Sequence, residues 1–579
     1  MNTPDPITVE VVKNALTSIA DEMALIIMRC SYSPILRDTL DYSTALCDAK
    51  GRVIAQGLTI PLHLASFPAA MKKMLSLYAD NILEGDIFIA NDPYLAGGMH
   101  LPDIYIIKPI FVDARLQGFG VALAHQSDIG GIAAGGTSVE SKEIFQEGLR
   151  IPLLKLYERG KLNECVLQLI QANTRLPSSV LGDLRSQMSA VEHAHREMFK
   201  LVRKYGAAEL DAIIDELHDY AERLMRQEIA HLPDGVYEFD EFFDGLGAEP
   251  EPLRLHARVV IAGDSIEVDW KGSSAQVKGA INCPIPYTAA AVFAAIRCIT
   301  DPLIPNCEGY MRAIKVTAPE GTIVNPSFPA ACAARGVIGL RALDCMFGAL
   351  ARAIPDRIPA ATDGGPVILT IAGWREKKRH VFADCLLGSW GASNTADGSE
   401  GVSTPGVNLT NYPIEMAETE YPIEIQEYTL VADSGGAGKQ RGGLAIKKSY
   451  KVLMDDAVLT VRSDRRDHPP WGLEGGRAGA PSWNIVNEHG DPRVLPQNPM
   501  EQVPLAYGDV FTHIGASGGG FGEPWERDLA LVQADAAAHK ISHKHAKDVY
   551  GVVLTDDGQC DRTATEQLRV KLRAAIGSN

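Results

Sequence analysis

Two apolar stretches separated by a short polar turn set the strongest constraint on the fold of this chain. Asp103–Phe111 and Phe119–His125 predict two strands, joined by a turn centred on Ala114. In such a hairpin Asp103 and His125 are equally distant from the turn, so they lie opposite each other. Cross-strand neighbours have Cβ atoms roughly 4.5–5.5 Å apart. The pattern therefore places a carboxylate beside an imidazole at the open end of a hairpin.

A second histidine completes a set of side chains that suits a divalent metal. His100 lies three residues before Asp103, within reach of the same point as His125. A histidine followed three residues later by a carboxylate is common, and most such pairs form surface hydrogen bonds. These candidates, however, lie at the ends of apolar strands, where a buried polar group needs a partner. The sequence predicts one divalent metal, Zn²⁺ or Mn²⁺, with Fe²⁺ as a third candidate.

Other polar residues near these strands are candidates for catalysis. Asp92, Asp128 and Glu147 could orient the histidines or move protons, and the sequence does not rank the three. His63 is either a buried structural histidine or a support for the site. Gly130–Gly136 is either a mobile lid or a plain surface loop.

Composition excludes several classes of protein. A net charge of −18 argues against nucleic acid, because phosphate binding needs a basic face. The apolar runs are shorter than the roughly 20 residues that a bilayer requires, so no membrane span is predicted. Met1–Ile7 has no secretory pattern, and the cytoplasm is the expected location. The ten cysteines include no Cys-x-x-Cys pair, which indicates reduced thiols rather than a zinc ribbon.

The 579 residues are too many for one core, and we expect an α+β, multidomain protein. Mixed and antiparallel sheets should be accompanied by a long helical segment, residues 162–230, that follows the metal-bearing N-terminal part. The changes of pattern predict three domains: 1–232, a metal-binding domain with a helical extension; 233–424, a central α/β domain; and 425–579, a strand- and glycine-rich domain.

Three glycine-rich segments resemble ligand-binding loops only superficially. Residues 433–443 lack the Gly-Lys-Ser/Thr ending of a phosphate loop, and 515–522 lacks the helix and acidic residue of a dinucleotide fingerprint. Residues 391–401 form a polar loop that is a candidate for substrate contact. We expect structural turns at all three and no nucleotide binding by this chain.

A set of motifs, in order along most of the chain, resembles the hydantoinase B family. The matching segments are Arg37–Ser43, Pro61–Leu64, Asn91–Tyr94, His100–Asp103, Ala124–Gly131, Glu143–Pro152, Gly182–Arg185, Gly279–Pro284, Asp433–Gly438 and Gly515–Gly522. Members of this family are subunits of ATP-dependent N-methylhydantoinases, oxoprolinases and caprolactamase. The acetone and acetophenone carboxylase subunits are more distant relatives.

The resemblance implies a metal-bearing catalytic subunit of an ATP-dependent hydrolase of cyclic amides such as lactams, oxoproline or hydantoins. It carries His100, Asp103 and His125 over as ligands and adds Asp41. It further implies an actin-like partner of the hydantoinase A type that binds ATP, in a heterotetramer of two plus two subunits. Bicarbonate is a further candidate cofactor.

Two departures from the family pattern are expected to affect substrate choice. Gln126 stands where many members have a second consecutive histidine, and the loop Asp397–Glu400 differs in detail. Three other functions stay open: an ATP-dependent ketone carboxylase subunit, a metal-dependent oxygenase and a non-catalytic binding subunit.

Overall fold

The computed structural model of the protein describes residues 4–57, 60–402 and 404–576, with side chains described as far as residue 571. The chain divides into two compact units. The first comprises residues up to Asp240, Arg254–Met346 and Pro405–Tyr412. The second comprises Glu241–Leu253, Phe347–Thr404 and the residues from Pro413 onward. The three-domain division expected from the sequence stays a prediction.

The first unit contains a seven-stranded sheet, a four-stranded sheet and most of the long helices. Its helices are α1 (Pro6–Cys30), α2 (Pro34–Arg37), α3 (Ser66–Tyr78), α4 (Glu164–Asn173), α5 (Pro177–Tyr205), α6 (Ala207–Ala230), α7 (Ile285–Cys298) and α8 (Gly336–Ala351), the last of which runs on past Met346. Its strands are β1 (Tyr42–Asp48), β2 (Val53–Gln56), β3 (Ile87–Ala90), β4 (Asp103–Val112), β5 (Arg115–His125), β6 (Leu154–Glu158), β7 (Lys161–Leu162), β8 (Gly235–Phe243), β9 (Leu253–Ala262), β10 (Ser265–Asp269) and β11 (Ile314–Thr317).

The seven-stranded sheet has the order β2-β1-β5-β4-β3-β6-β7, with antiparallel neighbours throughout. The smaller sheet, β11-β10-β9-β8, is mixed, because β10 and β11 are parallel whereas β9 and β10 are antiparallel. Helix α5 packs on β4 and β5, and α1 packs on α5. The predicted helical segment over 162–230 is confirmed as α4, α5 and α6.

Helix α1 shows how local sequence fixes an element of this unit. The Asp5 carboxylate caps the first turn by accepting the N–H of Thr8 at 3.0 Å, and Pro6 occupies the first helical position, where its missing N–H costs nothing. One stripe of the helix is buried, at the three-to-four spacing of an amphipathic helix: Val9, Val12, Leu16, Ile19, Met23 and Ile27.

The hairpin β4–β5 has the predicted register, and Asp103 pairs with His125. Its turn is shorter than the gap between the two predicted strands, because only Asp113 and Ala114 turn the chain, both with positive φ. A symmetric hairpin on this two-residue turn would pair Asp103 with the residue before His125. A bulge beside Ile110 inserts one residue into β5 and restores the pairing.

The second unit contains two antiparallel sheets, β13-β12-β16-β19 and β14-β15-β20-β17-β18. The strands are β12 (Val367–Arg375), β13 (Lys378–Leu386), β14 (Ile423–Leu430), β15 (Ile446–Val452), β16 (Asp455–Arg462), β17 (Trp483–Val486), β18 (Arg493–Leu495), β19 (Val503–Leu505) and β20 (Val510–Ile514). The helices are α9 (Ile414–Glu420), α10 (Leu529–Ala537), α11 (His543–Asp548) and α12 (Arg562–Ile576).

The glycine-rich segments 433–443 and 515–522 pack against each other through their backbones. The N–H of Gly436 donates to the carbonyl of Gly518 at 2.9 Å, and the N–H of Gly518 donates to the carbonyl of Gly443 at 2.9 Å. A Cβ atom on Gly442 would lie 1.9 Å from the oxygen of Gly518. These glycines allow close approach of two backbones. Such packing agrees with a structural role for the two segments.

The loop Asp397–Glu400 belongs to a partly buried ion network of the second unit. Arg527 donates to both carboxylate oxygens of Asp397, at 2.7 and 2.6 Å, and Arg441 donates to Glu400 at 2.9 Å. Lys540 also contacts Glu400, at 3.2 Å. Asp397 and Glu400, which lie in the loop that we expected to affect substrate choice, are therefore paired within the protein.

The α+β class with mixed and antiparallel sheets is confirmed. Over the described parts of the chain, no helix combines the length and the apolar character that crossing a bilayer demands.

Candidate metal centre

Three side chains converge at the open end of the β4–β5 hairpin, in the first unit. The Nε2 atom of His100 lies 3.0 Å from Oδ1 of Asp103 and 3.2 Å from Nδ1 of His125. The third separation, from His125 Nδ1 to Asp103 Oδ1, is also 3.2 Å. All three residues are buried. Among the residues that the structure describes, this is the one group of three or more histidine, cysteine or acidic side chains with such converging atoms.

The protonation states of His100 and Asp103 leave a nitrogen lone pair facing a carboxylate oxygen in this cluster. The Nδ1 atom of His100 lies 2.8 Å from the carbonyl oxygen of Ala333, so it carries the proton and donates it. Burial, and then the positive charge of Arg335, lower the pKa of His100 to about 3, so its ring is neutral. Burial would raise the pKa of Asp103, but the positive charge of Arg335 outweighs it and holds that pKa well below its usual range. An imidazole lone pair therefore faces a carboxylate oxygen.

A divalent cation fits this arrangement. Ligand atoms about 2.1 Å from one ion, at angles of about 90–110°, lie about 3.0–3.4 Å from each other. The three measured separations, 3.0, 3.2 and 3.2 Å, fall in that range. A cation would also satisfy the opposed lone pairs of His100 and Asp103. The donor set of two imidazoles and a carboxylate suits Zn²⁺, Mn²⁺ or Fe²⁺.

Asp41 lies at the edge of the cluster. Its backbone carbonyl accepts the N–H of His125 at 3.1 Å, in the ladder that joins the start of β1 to the end of β5. Its carboxylate Oδ2 is 3.9 Å from Nδ1 of His125, and its side chain is 19% exposed. The structure thus brings all four sequence-predicted ligands together, with Asp41 farther out than the other three.

Arg335 contacts the Asp103 oxygen that does not face the histidines, and sequence reasoning missed this residue. Its Nη2 donates to Oδ2 of Asp103 at 2.6 Å, and its guanidinium carbon lies 4.4 Å from the centre of the Tyr287 ring. The side chain is buried. The signal was available: Arg335 is the one charged residue in an alanine-rich stretch, Ala330–Arg335, and a buried charge requires a partner.

Glu147 holds the loop that carries Arg335, but it does not contact the ligands in any described hydrogen bond. Its Oε1 accepts the backbone N–H groups of Cys332, at 2.5 Å, and Ala333, at 2.7 Å. Its Oε2 is buried and has no hydrogen-bond partner among the residues that the structure describes. Burial raises the pKa of Glu147 to about 8, although the N–H groups of Ala333 and Cys332 act in the opposite direction.

The other two predicted catalytic carboxylates have contacts with loops and not with the cluster. Asp92 is fully buried, accepts the N–H groups of Tyr94 and Leu95, and pairs with Arg150 at 2.7 Å. Asp128 is equally buried, and its contacts also lie on loop segments: the N–H groups of Gly130 and Gly135, and both the backbone and the guanidinium of Arg175.

Two further residues singled out in the sequence lie beside the site. His63 is buried, and its Nδ1 lies 2.7 Å from the hydroxyl of Ser43; burial lowers its pKa to about 3, while Asp103 acts in the opposite direction. Gln126 is fully buried and donates to Gln187 of α5 at 3.3 Å. Gln126 has no described contact with the metal cluster.

Comparison with known proteins gives consistent results over almost the whole chain. The profile of the hydantoinase B/oxoprolinase family matches residues 5–524. An uncharacterized protein of Methanocaldococcus jannaschii is 37% identical over 98% of this chain and 100% of its own length. Caprolactamase subunit beta of Pseudomonas jessenii is 32% identical over 98% of this chain and 100% of its own length.

Solved structures show the same fold. The crystal structure of ATP-dependent caprolactamase from Pseudomonas jessenii superimposes with a TM-score of 0.91 at 31% identity, covering 98% of this chain and 100% of that one. A nucleotide-free structure of acetone carboxylase superimposes with a TM-score of 0.92 at 20% identity, covering 99% of this chain and 84% of that one. At that lower identity the likeness concerns the fold alone.

Proposed function

Because this chain belongs to the hydantoinase B/oxoprolinase family, we propose that it is the metal-binding catalytic subunit of an enzyme that opens cyclic amides at the expense of ATP. One observation carries the proposal. Three buried ligand-type atoms, from His100, Asp103 and His125, converge at separations that suit one divalent ion. Relatives named as caprolactamase and 5-oxoprolinase support the cyclic amide as the substrate class.

In this proposal His100 Nε2, His125 Nδ1 and Asp103 Oδ1 hold the ion, and the Asp41 carboxylate is the fourth ligand. A divalent ion held by these residues would supply Lewis-acid chemistry, which polarises a substrate oxygen. Zn²⁺ and Mn²⁺ are the preferred candidates, and Fe²⁺ is the third.

The residues of this chain have separate tasks around that ion. The carbonyl of Ala333 selects the His100 tautomer whose Nε2 lone pair faces the cluster. Burial of His100 and Asp103 keeps bulk water from their ligand atoms. Asp41 is the most exposed of the four proposed ligands, so substrate approaches from its side of the cluster.

The ATP-dependent step requires a partner. The glycine-rich segments that resemble phosphate loops are occupied by backbone packing, which supports ATP binding elsewhere. Relatives are named as subunits of larger enzymes. We therefore propose an actin-like, hydantoinase A-type partner that binds ATP, in a cytoplasmic complex of two plus two subunits.

Metal content tests the centre directly. Elemental analysis of the purified wild-type chain should show one divalent metal per chain, and the His125→Ala variant should lose it. His231→Ala is the matched control, because it removes an exposed imidazole at the end of α6. Equal metal content in the wild type and in His125→Ala would refute the proposed centre.

Turnover of the reconstituted complex tests the reaction. With ATP and bicarbonate present, a panel of lactam, 5-oxoproline and hydantoin substrates should include one whose ring amide C–N bond is broken by addition of water. Small ketones serve as the comparison. A carboxylated ketone as the product, with every cyclic amide unchanged, would replace the hydrolase by a carboxylase.

A further inference from the structure

Arg335 is a buried cation whose position calls for an explanation. The residue is 5% exposed and directly precedes helix α8, at the end of the stretch Ala330–Ala334. Desolvating a guanidinium is costly, and a buried arginine that persists is paired. Its partner is a proposed ligand of the metal, Asp103, through a contact of 2.6 Å between Arg335 Nη2 and Asp103 Oδ2.

We infer that Arg335 is a positioning residue of the metal centre, which fixes the Asp103 carboxylate so that one defined oxygen faces the ion. The inference rests on the proposed function, because it requires that the cluster binds a metal. It adds a residue outside the ligand set and assigns to it a separate, measurable contribution to metal affinity.

The two oxygens of Asp103 have different partners. Oδ1 faces His100 Nε2 at 3.0 Å and His125 Nδ1 at 3.2 Å, whereas Oδ2 accepts from Arg335. A carboxylate on a short side chain can rotate and exchange its oxygens. The charge-assisted hydrogen bond from Arg335 opposes that rotation, because turning the carboxylate would break the bond.

The guanidinium is itself held in place. Its carbon lies 4.4 Å from the centroid of the Tyr287 ring, a cation–π contact. Tyr287 belongs to α7 and is buried. A planar guanidinium on an aromatic face has a fixed orientation, which the flexible ammonium of lysine does not reproduce.

The same turn supports a second ligand. The carbonyl of Ala333, two residues before Arg335, accepts the Nδ1–H of His100 at 2.8 Å. The N–H of Arg335 donates to the carbonyl of Cys332 at 3.0 Å and closes the turn. Glu147 accepts the N–H groups of Cys332 and Ala333 and anchors the turn from the opposite side. The segment Cys332–Arg335 thus orients His100 and Asp103 together.

The test measures metal affinity by competition between the full-length protein and a chelator for Zn²⁺. We expect Arg335→Met to bind Zn²⁺ about 10- to 100-fold more weakly than the wild type, the usual loss when a residue that orients a ligand is removed. Arg335→Lys should lie between the two. Arg341→Met is the matched control, because Arg341 is an equally buried arginine of α8 that pairs with Asp344 at 3.1 Å. It should leave the affinity within about twofold of the wild-type value.

A spectroscopic readout separates positioning from general destabilisation. The visible absorption of the Co²⁺-loaded protein reports ligand geometry, so we expect its bands to shift in Arg335→Met and to stay unchanged in Arg341→Met. If Arg335→Met does not fold, Arg335→Lys decides the matter: wild-type Zn²⁺ affinity and Co²⁺ bands in that variant would overturn the inference.

The outcomes also distinguish this inference from the proposed function. If the wild type and His125→Ala bind Zn²⁺ equally, the metal centre itself is wrong. If His125→Ala loses binding while folded Arg335→Met retains wild-type affinity and spectrum, only the role of Arg335 is refuted.

Discussion

We expect one buried carboxyl group, that of Glu147, to contribute stability that is lost as the pH rises from 5 to 9. The side chain is 2% exposed, and within the described parts of the chain its Oε2 has no hydrogen-bond partner. The neutral form is therefore favoured in the folded protein, and burial raises the pKa of Glu147 from 4.5 to about 8. In the unfolded chain the same group is ionised over most of this range.

The sign and the size of the effect follow from the two pKa values. Between them the folded state holds a proton that the unfolded state has released, so each rise in pH favours unfolding. The contribution of the neutral carboxyl is complete below pH 4.5 and is lost as the pH rises through about 8. A pKa difference of this size corresponds to roughly 5 kcal/mol of unfolding free energy.

The variant Glu147→Gln isolates this contribution. An amide keeps one oxygen for the N–H groups of Cys332 and Ala333 and cannot ionise. The free energy of unfolding in urea is measured for the metal-free wild type and the variant from pH 5 to pH 9. In the difference between the two proteins, the contributions of all other titrating groups cancel. The two proteins should have similar stability near pH 5, and the variant should be more stable by several kcal/mol at pH 9.

The control is Glu158→Gln, which alters an exposed carboxylate of β6 and should leave the pH profile unchanged. A free-energy difference between the wild type and Glu147→Gln that does not vary with pH would show that Glu147 is ionised throughout. The reasoning from its burial would then be wrong.

Three further expectations concern backbone packing, an ion-pair network and the metal centre. Gly442→Ala should lower the unfolding free energy by several kcal/mol in thermal denaturation, because its Cβ would lie 1.9 Å from the backbone oxygen of Gly518. The control Gly558→Ala, at a position with positive φ and open space, should cost about 1–2 kcal/mol in the same assay. Arg527→Met should lower the free energy of unfolding by about 1.5–3 kcal/mol in urea, because it removes charge-assisted hydrogen bonds to Asp397 and Asp535 while Asp535 keeps its contact with Arg441; a value under about 1 kcal/mol would contradict this. Gln126→Ala should leave Zn²⁺ affinity within about twofold of wild type in a chelator titration, and a larger loss would mean that Gln126 reaches the metal centre.

The sequence predicted the elements that have a local cause. The helical segment over residues 162–230 and the hairpin β4–β5 follow from the residues within them. The site was predictable in part for the same reason, because His100, Asp103 and His125 belong to one hairpin and the segment just before it. The neighbouring carboxylates were not, since nothing local showed that Asp92 and Asp128 pair with Arg150 and Arg175.

By itself, then, the sequence determined which residues form the hairpin and which of them have the chemistry of metal ligands. Only the tertiary structure decided how these residues are held. The bulge beside Ile110 depends on both strands, and without it every side chain of β5 beyond it would point to the other face. Arg335 and Asp103 are 232 positions apart in the sequence. Their ion pair therefore forms only when the first unit is folded. A ligand's identity is local, whereas its orientation depends on contacts that the fold brings together.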